Sequence, residues 1–245
     1  TISQVQTDGD IEVVPMTTIR RTIADHMVQS IRTSPHVTMV HAVDMTPIVQ
    51  LRERLKERFH EKYGVKLTYT AVILKATAHV LPSFPTINGS VSGTNIVRYG
   101  RVNVGCAVAL SDESLVVPVV KDANKKSFPE IAGELDRLIK LARGKALTRD
   151  DIESGTFTIS NFGSFGSIMG TPIINQPQVA ILGMGAVFAA PVAINRQIEV
   201  RDSMYLNLSF DHRVIDGAMG GRFLNAIQNW VENTTAETLD IADLD

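Results

Sequence analysis

The stretch that most narrows what this chain can fold into is YLNLSFDHRVIDGA, residues 205–218. Tyr205, Leu206, Leu208 and Phe210 give the apolar alternation of a strand with a buried face. A long apolar-periodic stretch follows and reads as a helix from about Ala218 to Val231. Between the two lie Asp211, His212, Arg213 and Asp216. Ionised groups at such a junction cost several kcal/mol each, to order of magnitude, unless they are paired or used. The fold must therefore supply a sheet, a covering helix, and either a structural polar network or an active site where they meet.

Composition removes several function classes. The chain has 245 residues, of which 44% are hydrophobic and 20% charged, the profile of a globular protein with one large hydrophobic core. Its net charge is −2 and it has no Lys/Arg block, so the electrostatic footprint of nucleic-acid binding is missing. No apolar run approaches the roughly 18 residues of a membrane span, and no signal peptide is visible. Cys106 is the single cysteine, which excludes an internal disulfide and fits a reducing compartment. The six histidines lie far apart and no Cys/His/Asp cluster has ligand spacing, so no metal site is expected. Thr1 is not a start methionine, which suggests a fragment or a processed form.

Periodicity gives the element order. Residues 1–12 read as an N-terminal arm or linker remnant and residues 13–245 as one domain. A helix is predicted from about Thr17 to Ile31, with Ile19, Ile23, Met27 and Ile31 repeating every four residues and Ser34-Pro35 stopping it. HVTMVHAVDM alternates as a strand with Val37, Met39, His41 and Val43 on one face. A helix follows with Thr46 as cap, Pro47 in its first turn and Gly64 as stop; Ile48, Leu51, Leu55 and Phe59 form its stripe. TAVILKATAHVL reads as a more buried helix ended by Pro82. From Asn88 the texture turns to strands broken at Asn88-Gly89, Ser92-Gly93 and Ser111-Asp112, then a helix over Phe128–Arg143. Further strands are expected at TFTISN, VAILGMGAV, QIEV and SMYLNLSF. The sum is an α/β fold, a mixed sheet packed with helices.

Several side chains have bland readings. GSFGSIMG is glycine-rich but lacks both the GxGxxG order and the Lys-Ser/Thr ending of a phosphate loop. Cys106, among small apolar residues, reads as a packed core residue rather than a nucleophile. His41 and His79 read as satisfied core histidines, and His36 as a structural or channel-wall residue.

DHRVIDGA does not stand alone. Its H-x-x-x-D-G order resembles the signature of the coenzyme A-dependent acyltransferase superfamily. The longer string is similar to the active-site segment of the dihydrolipoamide acyltransferases, the E2 components of 2-oxo acid dehydrogenase complexes. IRRTIADHM, SPHVTMVHAVDMT, VNVGCAVAL, LVVPVVKDANKKS, GTFTISNFGSFGS and GTPIINQPQVAILG agree with that family in order, over residues 13–235.

The resemblance implies a chloramphenicol acetyltransferase-like fold and acyl transfer between dihydrolipoamide and coenzyme A, directly in a ternary complex. It implies His212 as general base, taking a thiol proton as the sulfur attacks a thioester. It implies Ser160, in TISN, as the donor to the oxyanion, a group whose loss typically costs about 3 kcal/mol. It carries over to Asp216 a role either in orienting the imidazole or in clamping the loop through an ion pair with Arg20 or Arg21; the structural role is favoured. Asp211 and Arg213 are read as fixing the same turn, and Gly217 as permitting its tight backbone. By the same resemblance the unit is a homotrimer with His212 facing Ser160 of a neighbour, assembled into a core of 24 or 60 chains. Its partners would be lipoyl domains and the E1 and E3 components, in the cytoplasm or, for a eukaryote, the mitochondrial matrix. No Asp-Lys-Ala lipoylation triplet occurs, so lipoate is expected on a separate domain. NFGSFGSIMGTPIINQPQVAILG looks closer to succinyl- or branched-chain-transferring forms than to acetyl-transferring ones. Two other readings stay open: a stand-alone acyltransferase for a small hydroxyl or amine acceptor, and a non-catalytic scaffold subunit.

Overall fold

The computed structural model describes residue 11, residues 13–110 and residues 114–245. The arm expected over residues 1–12, save Ile11, and the turn expected at Ser111-Asp112 lie outside the described residues. In chain order the elements are α1 (Thr18–Thr33), β1 (His36–Asp44), α2 (Thr46–Tyr63), α3 (Tyr69–Val80), β2 (Gly89–Ser92), β3 (Asn95–Arg98), β4 (Val104–Ala109), β5 (Leu115–Val116), β6 (Val119–Val120), α4 (Phe128–Arg143), α5 (Arg149–Ile152), β7 (Phe157–Asn161), β8 (Ala180–Met184), β9 (Phe188–Ile194), β10 (Gln197–Asp211) and α6 (Gly217–Glu232).

One eight-stranded mixed sheet runs in the order β1-β10-β8-β7-β4-β5, with β6 paired to β4 and β9 to β10; β2 and β3 form a separate hairpin. β4, β7 and β8 are parallel neighbours and the other pairings are antiparallel. Parallel neighbours require a crossover, and α4 lies in the one between β4 and β7. Alternation along the strands decides what each face carries. Phe157, Ile159, Leu206, Leu208 and Phe210 belong to the hydrophobic core formed with α2, α3, α4 and α6. Thr158, Ser160, Ser209 and Asp211 consequently look to the opposite face. There Phe162 and Pro172 lie over Gly183, and Ser30 of α1 donates to the Ile174 carbonyl at 2.6 Å.

Most helix limits follow from caps. Ser127 and Glu130 form a reciprocal capping box at α4, and Gly64 ends α2 at φ 71°. Thr46 departs from its expected part: it is the first helical residue, and its hydroxyl accepts from the Asp202 N–H at 3.0 Å instead of capping α2. β9 escapes sequence periodicity because its FAAPVAI is rich in alanine and contains proline. It pairs with β10 alone, and an edge strand tolerates Pro191. The strands expected at QIEV and SMYLNLSF are one 15-residue strand, β10. Arg201, which would interrupt it, is paired with Glu199 at 2.7 Å and Asp44 at 3.5 Å.

Candidate active site

Ser160 sits in β7 with Gly183 of β8 beside it on one side and Ala107 of β4 on the other. It lines a cavity of about 820 Å³ walled by β4, the end of α4 and the segment after β7. The walls are mostly apolar, including Ala107, Val108, Leu115, Ile139, Phe162 and Phe165. Arg143, in the last turn of α4, is the one charged side chain in the lining, and it forms no ion pair among the described residues. Cys106 also lines this cavity, but burial pushes its thiol up to about 12, so it stays protonated and inert near neutral pH. That agrees with the packed role read for it.

The glycine-rich segment after Ser160 serves close packing. A Cβ on Gly163 would stand 2.2 Å from the Gly185 carbonyl carbon, and one on Gly183 would stand 2.6 Å from Phe162. Only glycine lets the segment lie down on β8 and carry Phe162 across the sheet.

His212 follows the last residue of β10, and its turn is held from several sides. Its N–H donates to the Pro35 carbonyl at 3.0 Å. Asp211, with a side chain only 1% exposed, accepts from the Arg213 guanidinium at 2.6–3.1 Å and from the Ser34 hydroxyl at 2.7 Å. Burial pushes the Asp211 carboxyl up, but the hydrogen bonds from Arg213 and Ser34 outweigh it and hold the group below the usual carboxylate range. The His212 imidazole is exposed, 5.9 Å from the Phe210 ring, and has no hydrogen bond among the described residues.

Asp216 is corrected in part. It does serve structure, as read, but not through an ion pair with Arg20 or Arg21. It is the N-cap of α6, its carboxylate accepting from the Met219 N–H at 2.7 Å, and it is exposed. The ion-pair clamp expected of it is made instead by Asp211 with Arg213. Gly217 is also corrected: its φ is not positive and a Cβ there would meet nothing within 4 Å, so the turn does not require glycine. His36 is structural, its Nδ1–H donating to the Ser34 carbonyl at 2.7 Å and its Nε2 accepting from the Ile174 N–H at 3.0 Å. His41 is half-buried and donates to Gln228 at 3.0 Å. His79 is not a core residue; it occupies the exposed side of α3, its ring 6.3 Å from that of Trp230.

One chain does not bring Ser160 and His212 together. Ser160, Gly183 and Asn207 lie in one row across β7, β8 and β10. Two strand spacings separate Ser160 from Asn207, about 10 Å, and His212 is five residues further, about 17 Å along the strand. His212 is accordingly absent from the Ser160 cavity. The residues sequence reasoning missed are Ser34, Gln176 and Arg143. From the sequence Ser34 reads only as the stop of α1; its partner Asp211 lies 177 residues away, a pairing that no local pattern encodes.

The mixed sheet backed by helices is the fold shared with a chloramphenicol acetyltransferase. That protein matches at a TM-score of 0.53 and 12% identity, over 84% of this chain and 94% of its own. The particular family is then plain: the chain belongs to the 2-oxoacid dehydrogenases acyltransferase (catalytic domain) family, whose model matches residues 8–239. The succinyltransferase component of the 2-oxoglutarate dehydrogenase complex of Bartonella vinsonii subsp. berkhoffii is 42% identical over 94% of this chain and 56% of its own length. The chain thus spans little more than half of that relative. The dihydrolipoamide acetyltransferase of Azotobacter vinelandii has a TM-score of 0.90 and 37% identity, over 95% of this chain and 97% of that one. The cubic core of a pyruvate dehydrogenase multienzyme complex has a TM-score of 0.90 and 36% identity with the same coverage. In the Azotobacter protein a serine, a histidine and an asparagine were investigated for their role in catalysis; the intervals between them, 52 and four residues, also separate Ser160, His212 and Asp216. Among the described residues there is no group of three metal-ligating side chains, and no helix is long and apolar enough to cross a membrane.

Proposed function

We propose that this chain transfers an acyl group between dihydrolipoamide and coenzyme A, with His212 of one chain and Ser160 of a neighbour completing each site. The observation that carries the reading is the division of the two groups: Ser160 in a cavity without a base, and an exposed, unengaged imidazole about 20 Å away by strand geometry. The neutral imidazole takes the proton of the attacking thiol as its sulfur bonds to the thioester carbonyl carbon. The Ser160 hydroxyl donates to the oxygen as it becomes an oxyanion. Collapse of the tetrahedral intermediate breaks the bond to the other sulfur, which recovers the proton from the imidazolium. Neither step requires a bond between acyl group and enzyme.

Succinyl is the proposed acyl group. The names of several curated relatives support it, as does the cavity lining, where the single charge is a cation, Arg143. Lipoate would arrive on a lipoyl domain, and the chain would assemble as a homotrimer within a larger core; the likeness to the cubic core supports assembly. The bacterial relatives support a cytoplasmic complex with E1 and E3 components. The test is turnover of acetyl-, succinyl- and isobutyryl-coenzyme A with free dihydrolipoamide. Succinyl preference is expected; activity only toward a hydroxyl or amine acceptor, or no activity at all, would overturn the reading.

A further inference from the structure

The His212 turn is tied through the His212 N–H, Asp211 and Arg213, while the imidazole has no hydrogen bond among the described residues. The N–H of Asp211 donates to the Val179 carbonyl at 2.8 Å, and the Asp211 carbonyl accepts from Val214 at 3.2 Å and Ile215 at 3.0 Å. Its carboxylate Oδ1 accepts from the N–H and Nε of Arg213, both at 3.0 Å, while Oδ2 accepts from Arg213 Nη2 at 2.6 Å and Ser34 Oγ at 2.7 Å. Gln176 continues the network, its Nε2 donating to Ser34 Oγ at 2.8 Å and to Ser30 Oγ at 3.4 Å. The residues on both sides of His212 are thus locked to each other, to the start of β1 and to the segment bearing Gln176.

We propose that Asp211 is a positioning residue for the reaction: with Arg213, Ser34 and Gln176 it fixes the backbone of His212 so that the imidazole is held out toward the neighbouring Ser160. The inference deepens the reading of His212 as the base and rests on it. A base must meet its proton within hydrogen-bond reach, and a displacement of about 1 Å can cost about 10²-fold in rate. The fork between Arg213 and the carboxylate suits that duty, since two parallel bonds fix direction as well as distance. Asp211 is half of an ion pair whose other half is Arg213 itself, so its effect on the imidazole is one of geometry rather than net charge.

The test uses the assembled protein at a temperature well below its melting midpoint. Asp211→Asn keeps the shape but puts an amide where two donors point. It is expected to lower kcat by about 10²-fold with KM unchanged. The plateau of the pH–rate profile should fall, and in the charge-conserving variants Arg213→Lys, Ser34→Ala and Gln176→Ala its acid-limb midpoint should stay in place. Arg213→Lys keeps the charge but loses the fork, and should lower kcat at unchanged KM as well. Should Asp211→Asn fail to fold, Ser34→Ala and Gln176→Ala carry the test, with smaller losses in the same direction. Wild-type kcat in these variants, or losses that only follow falling melting temperature and assembled mass, would overturn the inference. A shifted acid-limb midpoint at an unchanged plateau would also overturn it, since Asp211 would then act by charge. An active His212→Ala protein would instead remove the parent reading.

Discussion

Ser160 and His212 stand in one sheet but are held by different physics. Ser160 is fixed by regular pairing: β7 lies between parallel neighbours, and its register with Ala107 and Gly183 sets where the hydroxyl points. Nothing charged is needed to place it. His212 lies just past the end of β10, where the ladder stops, and the ion pair on the buried Asp211 carboxylate, backed by the Ser34 hydroxyl and the Gln176 amide, replaces the ladder. A mid-strand group inherits its precision from the sheet; a group beyond the strand end needs a built polar clamp. The comparison also assigns the ionisable run of DHRVIDGA. Asp211 and Arg213 are the clamp, Asp216 caps the helix, and the His212 imidazole is left without a hydrogen bond among the described residues.

The comparison can be broken first at the imidazole. His212→Ala should lower turnover by at least the roughly 10²–10⁴-fold that general-base catalysis supplies, with coenzyme A binding nearly intact. Steady-state kinetics with free dihydrolipoamide measures it, and more than a tenth of wild-type activity would contradict the assignment. Ser160→Ala should lower kcat by about 10²-fold with little change in KM, because its hydrogen bond strengthens only in the transition state. A change confined to KM would make Ser160 a binding residue.

The clamp predicts a pH effect on stability that the Ser160 side lacks. The folded-state pKa of Asp211 is depressed, so its contribution is complete above the ordinary Asp value near 3.9 and is lost as pH falls through the lower folded value. Wild-type melting temperature should therefore fall more steeply below about pH 4 than that of Asp211→Asn. Parallel curves would show that the carboxylate is not stabilised by folding. The smallest effect belongs to Asp216. Asp216→Ala should cost about 1 kcal/mol as a lost N-cap, and Asp216→Asn, an equally good cap, much less. Equal losses for both in chemical denaturation would point to a role for the charge.

The helices and the central strands were legible because periodicity and caps are local. α4 falls on Phe128–Arg143 as read, between Ser127 and Gly144. β9 was not legible, since an alanine- and proline-rich edge strand exists only because β10 pairs with it. The exposure of His79 on a helix that is otherwise almost wholly buried shows the same limit: the one outward position is set by tertiary packing. At the candidate site, the strand that carries Ser160 and the Asp211–Arg213 turn around His212 could be read from TISN and DHRVIDGA, while the roles proposed for the two residues rest on the family resemblance. The reassignment of the clamp from Asp216 to Asp211 could not, because Ser34 meets Asp211 across 177 residues.

The central claim is that each catalytic site is shared between two chains, and subunit mixing tests it most directly. His212→Ala and Ser160→Ala chains are each expected to retain about 1% of wild-type activity or less as homo-oligomers. Exchanged at equal ratio, random assortment leaves about a quarter of the His212-to-Ser160 interfaces with both groups intact. Activity should recover to about that fraction of wild type, in step with hybrid oligomers counted by native mass spectrometry. Hybrids that form without any recovery would place both groups in the same chain's site and contradict the account.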